Sequence, residues 1–178
     1  MRSKVVRGLL LACIGFSLSS CGMFDKAPSF PCPKVFILGD AGNLVRFKPG
    51  TGRDITDIVF EARIADFTGS CEYDEKRMGV DIELLVQIEL RRGPAGGDGA
   101  VSFEYFIALP AFRPLPEGKR IMPVTGNFER NLTRMMYRDE VNMFIPLADL
   151  QDGPETEIVI GFQLAPGEIE FNRLMQQR

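Results

Sequence analysis

The side chains that could carry chemistry in this 178-residue chain are its cysteines, its carboxylates and a short series of arginines. Histidine is absent. Because histidine is the commonest general base and the commonest metal ligand, its absence excludes Ser-His and Cys-His nucleophile pairs and histidine-based zinc sites. Carboxylate chemistry is not excluded. The four thiols belong to Cys13, Cys21, Cys32 and Cys71.

Two groups of carboxylates could act together. Asp54 and Asp57 flank the start of a predicted strand, and paired carboxylates can do acid–base work when one of them is desolvated. Glu72, Asp74 and Glu75 could offer oxygen ligands to calcium, but they lack the spaced Asp/Asn-Gly pattern of a dedicated calcium loop. The sequence favours a surface pair that caps a loop and a solvated turn. We therefore predict no catalytic residue, no metal site and no cofactor.

Three arginines recur every fourth residue at Arg130, Arg134 and Arg138. On a helix this spacing would place them along one side, where they could contact an anionic glycan, a lipid headgroup or an acidic partner. A solvated face explains them equally well. Residues 128–138 are compatible with helix or strand, and the alternation that continues to Leu147 favours a strand.

The first 21 residues contain the most specific pattern of the chain. Arg2, Lys4 and Arg7 form a basic start, and the apolar run Gly8–Ser17 is too short to span a bilayer, which needs about 20 apolar residues. This order is typical of a secretory signal. The segment Leu18–Cys21 (LSSC) then matches the lipobox of aliphatic, small, small and Cys, so the N-terminus resembles that of bacterial lipoproteins.

The lipoprotein resemblance implies cleavage before Cys21, a diacylglyceryl thioether on its sulfur and acylation of the new amino terminus. Each buried methylene contributes about 0.8 kcal/mol, so two or three acyl chains bind a membrane almost permanently. Residues 1–20 are then a cleaved signal peptide, residues 21–32 a lipidated N-terminus and tether, and residues 33–178 the folded domain. No Asp follows Cys21, and by analogy with the family this implies the periplasmic face of the outer membrane rather than the inner membrane.

Cys32 and Cys71 remain when Cys13 leaves with the signal and Cys21 is lipidated. An even pair of thiols in an oxidising compartment predicts a disulfide. Two independent thiols or a metal pair are the alternatives, although the spacing is not that of a CxxC site and no histidine is present to complete one.

The charge of the chain bears on its partners. It contains 21 Lys and Arg and 24 Asp and Glu, a net charge of −3, and the signal takes three basic residues and no acidic ones, so the mature chain is near −6. An acidic domain without a basic stripe is a poor candidate for nucleic acid, whose binding requires neutralised phosphates. We expect the acyl chains on Cys21, and not the domain surface, to bind the membrane.

Alternation of apolar and polar residues predicts a domain made mostly of strands. Met78–Arg91 is the clearest run, and Ile55–Phe67 predicts a second strand joined to it by a polar connection, Thr68–Arg77. Residues 44–47 indicate either a turn of helix or a short strand. Further strands are predicted at Pro33–Leu38, Val101–Leu109, Ile121–Val124, Thr133–Leu147 and Ile158–Leu164.

The C-terminus and the strand count complete the fold prediction. Pro166–Glu168 indicates the start of a short helix, because proline suits the first turn and glutamate the positive end of the helix dipole. Ile169 and Leu174, with Phe171, are expected to pack that helix onto the strands. Seven or eight strands predict an all-β fold, an antiparallel immunoglobulin-like β-sandwich with a short C-terminal helix. Four aromatic residues are expected in the core: Phe103, Tyr105, Phe106 and Phe112.

Taken whole, the chain is similar to small envelope lipoproteins of Gram-negative bacteria, with GSCEYD (69–74) and GFQLAPGEIEFNR (161–173) as the stretches that carry the likeness. This resemblance implies no mechanism. Our hypothesis is a non-enzymatic envelope lipoprotein whose sandwich binds another protein or helps an assembly. The alternative is a carrier or sensor of a small apolar ligand or lipid between the sheets, which 14 Phe and eight Met would permit.

Overall fold

The computed structural model describes residues 30–50 and 53–177, so the predicted signal and Cys21 lie outside the described residues. Within these ranges the chain forms eight strands, five short 3₁₀ turns and one α-helix. The strands are β1 (Lys34–Ile37), β2 (Asn43–Phe47), β3 (Ile58–Asp74), β4 (Gly79–Arg92), β5 (Ala100–Ala108), β6 (Lys119–Asn127), β7 (Arg134–Pro146) and β8 (Glu157–Phe162), and the helix is α1 (Pro166–Gln176).

The strands form two four-stranded sheets. Sheet A has the order β1-β8-β5-β6, and sheet B has the order β2-β3-β4-β7. Neighbouring strands are antiparallel except for β1 and β8, which run parallel. Side chains from both sheets share one hydrophobic cluster, in which the rings of Phe60 and Phe103 lie 6.2 Å apart between centroids. The domain is a β-sandwich, and the predicted all-β class with a short C-terminal helix is confirmed.

Strand β4 shows how alternation determines the sandwich. Every second side chain faces inward, and the residues between them face outward, so a single period-2 pattern buries one face of the strand. Fully burying an aliphatic side chain contributes about 1.5–3 kcal/mol. The inward side chains are Val80, Ile82, Leu84, Val86, Ile88 and Leu90, each no more than 4% exposed.

Strand β3 is longer than predicted, and the polar connection expected at Thr68–Arg77 is wrong as far as Asp74. The pairing register with β4 shifts within Ile64–Asp66, so the inward positions change there from even to odd residue numbers. Beyond the bulge, Cys71 and Tyr73 pack against the core, while Glu72 between them is exposed. An alternation of apolar and polar residues that does not allow for the bulge therefore assigns the wrong residues to the inner face beyond Asp66.

The two ambiguous segments are strands. Residues 43–47 form β2, and the segment that allowed helix or strand is strand from Arg134 onward, after a turn at residues 130–131. The aromatic prediction holds for Phe103 and Tyr105, which belong to the core cluster, and for Phe112, which packs against it. Phe106 is buried but does not belong to that cluster, so its predicted place in the core is wrong.

Helix α1 begins at its predicted proline and packs beside β2. Phe171 meets Phe47 edge-on, with 5.3 Å between ring centroids, and Ile169 contacts the core. Leu174 is 55% exposed, so its predicted packing is wrong. With 3.6 residues per turn, a residue five positions after Ile169 lies on another side of the helix. Asn172 is buried instead and donates to two backbone carbonyls near β2, at 2.7 and 3.0 Å.

Candidate functional site

The predicted disulfide is present at one end of the sandwich. Cys32, just before β1, is bonded to Cys71 of β3, 39 positions away in the sequence, with 5.7 Å between their Cα atoms. The Tyr73 hydroxyl donates to the carbonyl of Pro31 at 2.7 Å, and its ring meets that of Phe30 with 5.3 Å between centroids. The first described residues are therefore held against the end of β3. The bridge joins the segment that leads into β1 of sheet A to β3 of sheet B.

The structure separates the predicted arginine trio. Arg134 and Arg138 point outward from β7, whereas Arg130 lies in the turn before this strand. The backbone carbonyl of Arg130 accepts a hydrogen bond from the Arg92 guanidinium at 3.1 Å. Only two members of the trio therefore share a face.

Arg134 belongs to a different cluster, which surrounds Glu89 on the outer face of sheet B. The Glu89 carboxylate lies 3.0 Å from Arg63, 3.6 Å from Arg91 and 4.0 Å from Arg134. The hydrogen bond from Arg63, followed by the charges of the three guanidinium groups, holds the pKa of Glu89 below its usual value. The strand register creates this cluster, because Arg63 pairs with Glu89 and Arg91 pairs with Arg134. Such exposed ion pairs contribute little to stability.

The predicted carboxylate groups hold turns together. Asp54 accepts a hydrogen bond from the backbone N–H of Ile55 at 2.6 Å at the start of a 3₁₀ turn. Asp57 lies 2.6 Å from Lys48, which, with the backbone N–H of Asp54, lowers its pKa. Asp74 accepts two backbone N–H groups of the β3–β4 turn, each at 2.9 Å. In the part of the chain that the structure describes, no group of three or more cysteines and carboxylates could hold a metal ion.

A polar cluster between the sheets was not predicted. Asp139 faces inward from β7 and accepts a hydrogen bond, at 2.6 Å, from the hydroxyl of the fully buried Tyr105. Burial, followed by the effect of Asp139, raises the pKa of Tyr105 far above its ordinary value, and the pKa of Tyr137 is raised for the same two reasons. The signal in the sequence was that Asp139 interrupts an otherwise apolar alternation along β7.

A broad apolar groove crosses the outer face of sheet A. Its floor contains Phe106 and Ala108 of β5, Ile121 of β6 and Val159 of β8, and Leu38 extends it beyond the end of β1. The register brings these side chains together, because Phe106 pairs with Ile121 and Ala108 pairs with Val159. Phe106 does not belong to the core cluster between the sheets, although it is only 8% exposed. The groove therefore lies on the face opposite the core.

The connection between β5 and β6 forms one wall of the groove. Two 3₁₀ turns, Pro110–Phe112 and Pro116–Gly118, each begin with proline, whose fixed φ suits the first position of a helical turn. The backbone N–H of Leu109 donates to the carbonyl of Gly118 at 2.8 Å and closes the loop. Pro114 and Leu115 between the turns line the groove.

Two cations are the only charged side chains among the described residues that line the groove. The Lys119 ammonium lies 4.2 Å from the centroid of the Phe106 ring and donates to the Gln163 side chain at 2.7 Å. Arg113 forms no side-chain hydrogen bond or ion pair with any described residue. The groove therefore combines an apolar floor with an unpaired guanidinium and a partly paired ammonium.

The shape and lining of the groove suit binding rather than bond-making chemistry. Its volume is about 790 Å³, within the roughly 300–1,000 Å³ typical of ligand sites. The groove is nevertheless open, since Leu38, Leu115 and Ile121 are 43%, 58% and 46% exposed. Among the described residues that line it there is no hydroxyl, thiol or carboxylate side chain.

The sequence contained a signal for this groove that alternation did not reveal. Residues 105–108 (YFIA) and 158–160 (IVI) are uninterrupted apolar runs, and both faces of these stretches are largely buried. A strand with one solvated face alternates, whereas an apolar run indicates that both faces meet apolar surroundings. In β5 and β8 the second apolar face is the floor of the groove.

Among the described residues, no helix has the length and apolar character needed to cross a membrane. Comparison of the chain with known protein families, with curated proteins and with solved structures finds no match.

Proposed function

We propose that this chain is a lipid-anchored protein of the bacterial cell envelope that binds another protein through the groove of sheet A and is not an enzyme. The single observation that carries the binding role is the groove. The outer face of an antiparallel sheet is commonly solvated and polar. An exposed apolar patch with a polar rim is instead typical of an interaction site. Leu38, Leu115 and Ile121 supply the exposed apolar surface of such a patch.

The anchor is proposed from the sequence, in which Leu18–Cys21 resembles a lipobox. Cys21 would carry the acyl chains, at the periplasmic face of the outer membrane. The Cys32–Cys71 disulfide supports an oxidising compartment, where such bonds persist. The nine residue steps from Cys21 to Phe30 can span at most about 32 Å, so the domain would stay close to the membrane.

We also propose that the sandwich is immunoglobulin-like in the broad architectural sense. Eight strands in two facing sheets support this comparison, as does the almost wholly antiparallel pairing. The connections also resemble a Greek key, because β7 returns to pair with β4 after the β5–β6 hairpin has formed in the other sheet.

The alternative function is a carrier or sensor of a small apolar ligand between the two sheets. It has weaker support, because the inward side chains form one continuous cluster. The Phe103 ring contacts both Phe60 and Phe162, at 6.2 and 5.6 Å between centroids. Side chains packed in this way occupy the middle of the sandwich. A cavity of about 220 Å³ lies between the sheets beside the disulfide, lined by Val35 and Ile158 of sheet A and by Ile82 and Leu84 of sheet B, and it is smaller than the groove. Lipid that co-purifies with the soluble Cys21→Ser chain and lies between the sheets would favour this alternative.

Photo-crosslinking in intact cells tests the proposed binding role. A photoreactive amino acid would replace Ile121 in the groove, and the control would carry it at Met136 on the outer face of sheet B, where exposure is nearly equal at 42% against 46%. We expect protein adducts from position 121 that are absent from position 136. Equal adducts from both positions, or adducts with lipid alone, would contradict the proposal.

Metabolic labelling with an acyl-chain analogue tests the anchor separately. The wild-type chain should take up the label, and the Cys21→Ser chain should lose it, because the thioether requires the Cys21 sulfur. A labelled Cys21→Ser chain would show that the lipobox assignment is wrong.

A further inference from the structure

We propose that the occupant of the groove is a short apolar segment of a second protein that carries a carboxylate, and that Arg113 and Lys119 recognise this carboxylate. This inference rests on the proposed function, since it assumes that the groove binds protein. It adds the chemistry of the partner, which neither the fold nor the sequence pattern assigns.

The openness of the groove favours a protein segment over a small molecule. Small-molecule sites bury about 70–90% of their ligand, which requires walls on several sides. Here the β5–β6 loop supplies one wall, and Ile121 on the edge strand β6 remains 46% exposed. A small ligand on this floor would keep much of its surface in water. A segment attached to a folded partner would be covered by the rest of that partner.

The positive charge of the groove favours a partner that carries a negative charge. Arg113 and Lys119 are the charged residues among those lining the groove, although the whole chain has a net charge of −3. Charged groups across an interface are arranged so that opposite signs meet, and like charges suppress wrong partners. A local positive pair on an acidic protein therefore favours an acidic group at this place and disfavours a basic segment.

The hydrogen-bond partners of the two cations indicate where that acidic group binds. Arg113 has no partner among the described residues, so its planar guanidinium is free to bind a carboxylate with two parallel hydrogen bonds. Lys119 uses one of its three donors on Gln163 and is held over the Phe106 ring, which fixes its ammonium at the edge of the floor. A carboxylate on the bound segment would pair with the cations of the groove while its apolar neighbours cover Phe106 and Ile121.

The test uses the full-length Cys21→Ser chain and three labelled nonapeptides. The peptides share leucine and valine at the same flanking positions and differ only at the centre, which is glutamate, glutamine or lysine. Binding is followed by fluorescence anisotropy at low salt. We expect the glutamate peptide to bind about fivefold more tightly than the glutamine peptide, as for one exposed ion pair, and the lysine peptide to bind most weakly.

Charge-removing variants assign this preference to the two cations. In an Arg113→Gln/Lys119→Gln chain the glutamate and glutamine peptides should bind equally, while the affinity of the glutamine peptide should stay unchanged. Arg120→Gln is the matched control, because Arg120 is exposed on β6 beside Lys119 but does not line the groove. It should keep the full preference. Loss of the preference in Arg120→Gln as well would overturn the assignment to Arg113 and Lys119.

Three other outcomes would overturn the proposal. The first is equal binding of the lysine and glutamate peptides. The second is no binding of the glutamate peptide up to about 1 mM. The third is displacement of the glutamate peptide by decanoate at decanoate concentrations below the dissociation constant of the peptide. The last would identify a fatty-acid site. The cellular crosslinking at Ile121 remains independent: a protein adduct without a charge preference supports the binding function and overturns only this inference, whereas the absence of any protein adduct overturns the binding function and this inference with it.

Discussion

Replacing the hydrogen-bonded pair Tyr105 and Asp139 with apolar residues should leave the domain almost as stable as before but cause it to self-associate. Asp139 faces inward from β7, between residues whose side chains pack in the core. Strand β7 is also the last strand of sheet B, so one of its edges has no neighbouring strand in the described structure. The carboxylate therefore lies on the inner face of an open edge.

The backbone of β7 shows why that edge is exposed to pairing. The N–H of Arg92 donates to the carbonyl of Thr133, and the N–H of Leu147 donates to the carbonyl of Met78, each at 2.9 Å. In an antiparallel ladder, alternate residues bond to the neighbour, so the odd-numbered residues of β7 pair with β4. The even-numbered residues of Arg134–Pro146 direct their backbone groups to the open edge. An inward charge is one device that prevents a second chain from pairing there.

The single substitutions should each destabilise the fold. The Tyr105 hydroxyl is fully buried and lies 2.6 Å from Asp139, and a hydrogen bond to a charged group contributes about 1.5–3 kcal/mol. Tyr105→Phe should therefore lower the free energy of unfolding by about 2 kcal/mol. Asp139→Val leaves the hydroxyl buried without its acceptor, which costs about 1–3 kcal/mol.

The double substitution removes both partners together. Tyr105→Phe/Asp139→Val removes both the buried Tyr105 hydroxyl and the half-buried carboxylate. Tyr137 also loses its contact with Asp139 but is only partly buried, so apolar replacement of the pair is close to neutral. We expect a free energy of unfolding within about 1 kcal/mol of wild type and a coupling energy of about 2 kcal/mol in the mutant cycle. The same variant loses the charge on the inner face of β7, so it should form dimers or larger species that the wild-type chain does not.

Urea unfolding by circular dichroism and analytical ultracentrifugation measure the two effects separately. Tyr105→Phe is the matched control, because it is destabilised but keeps Asp139, and it should sediment like the wild-type chain. If it associates as strongly as the double variant, association follows loss of stability and not loss of the edge charge. If the double variant sediments like wild type, the role assigned to Asp139 is wrong.

Three further predictions concern the bridge, alkaline pH and a close backbone approach. Replacing Cys32 and Cys71 by alanine opens a loop of 39 positions and should lower the free energy of unfolding by about 4 kcal/mol, measured in urea. Above about pH 10 the unfolded chain loses the Tyr105 proton, whereas the folded chain keeps it because burial raises the pKa of Tyr105. The free energy of unfolding should therefore be constant up to about pH 10 and fall by about 1.4 kcal/mol per pH unit above it. Tyr105→Phe should reduce this slope. Gly93→Ala would place a Cβ against the backbone carbonyl of Ile58 and should lower the thermal midpoint by several degrees, whereas Gly97→Ala, with open space around it, should not.

The fold was predictable where one face of a strand is buried and its period is unbroken. Strand β4 satisfies both conditions, and its inward residues follow from the sequence alone. Strand β3 fails the second condition, because the bulge within Ile64–Asp66 moves its buried positions from even to odd numbers. Its last residues, through Asp74, then look like a polar loop. A bulge is a property of two paired strands, and a single-sequence pattern does not contain the partner's register.

The site residues divide in the same way. The Cys32–Cys71 bridge was predictable, because counting thiols in an oxidising compartment needs no register. The cluster around Glu89 was not, because its arginines come from three different strands and meet only when β3, β4 and β7 are aligned. The groove was missed for another reason. Phe106 was predicted correctly to be buried, but the side chains that surround it lie on the outer face of sheet A and not in the core.

The direction of β1 relates the proposed anchor to the proposed binding site. Cys32 lies two residues before this strand, and Leu38, which lines the groove, follows it. Six residue-to-residue steps of extended chain, at about 3.3 Å each, lead from Cys32 to Leu38, so the groove begins about 20 Å from the disulfide. On the proposed anchoring, the acyl chains hold the Cys32 end of the sandwich at the membrane, and β1 carries the groove away from it. Under this proposal, Arg113 and Lys119 would lie at the end of the domain far from the anchor, where a partner in the periplasm could reach them.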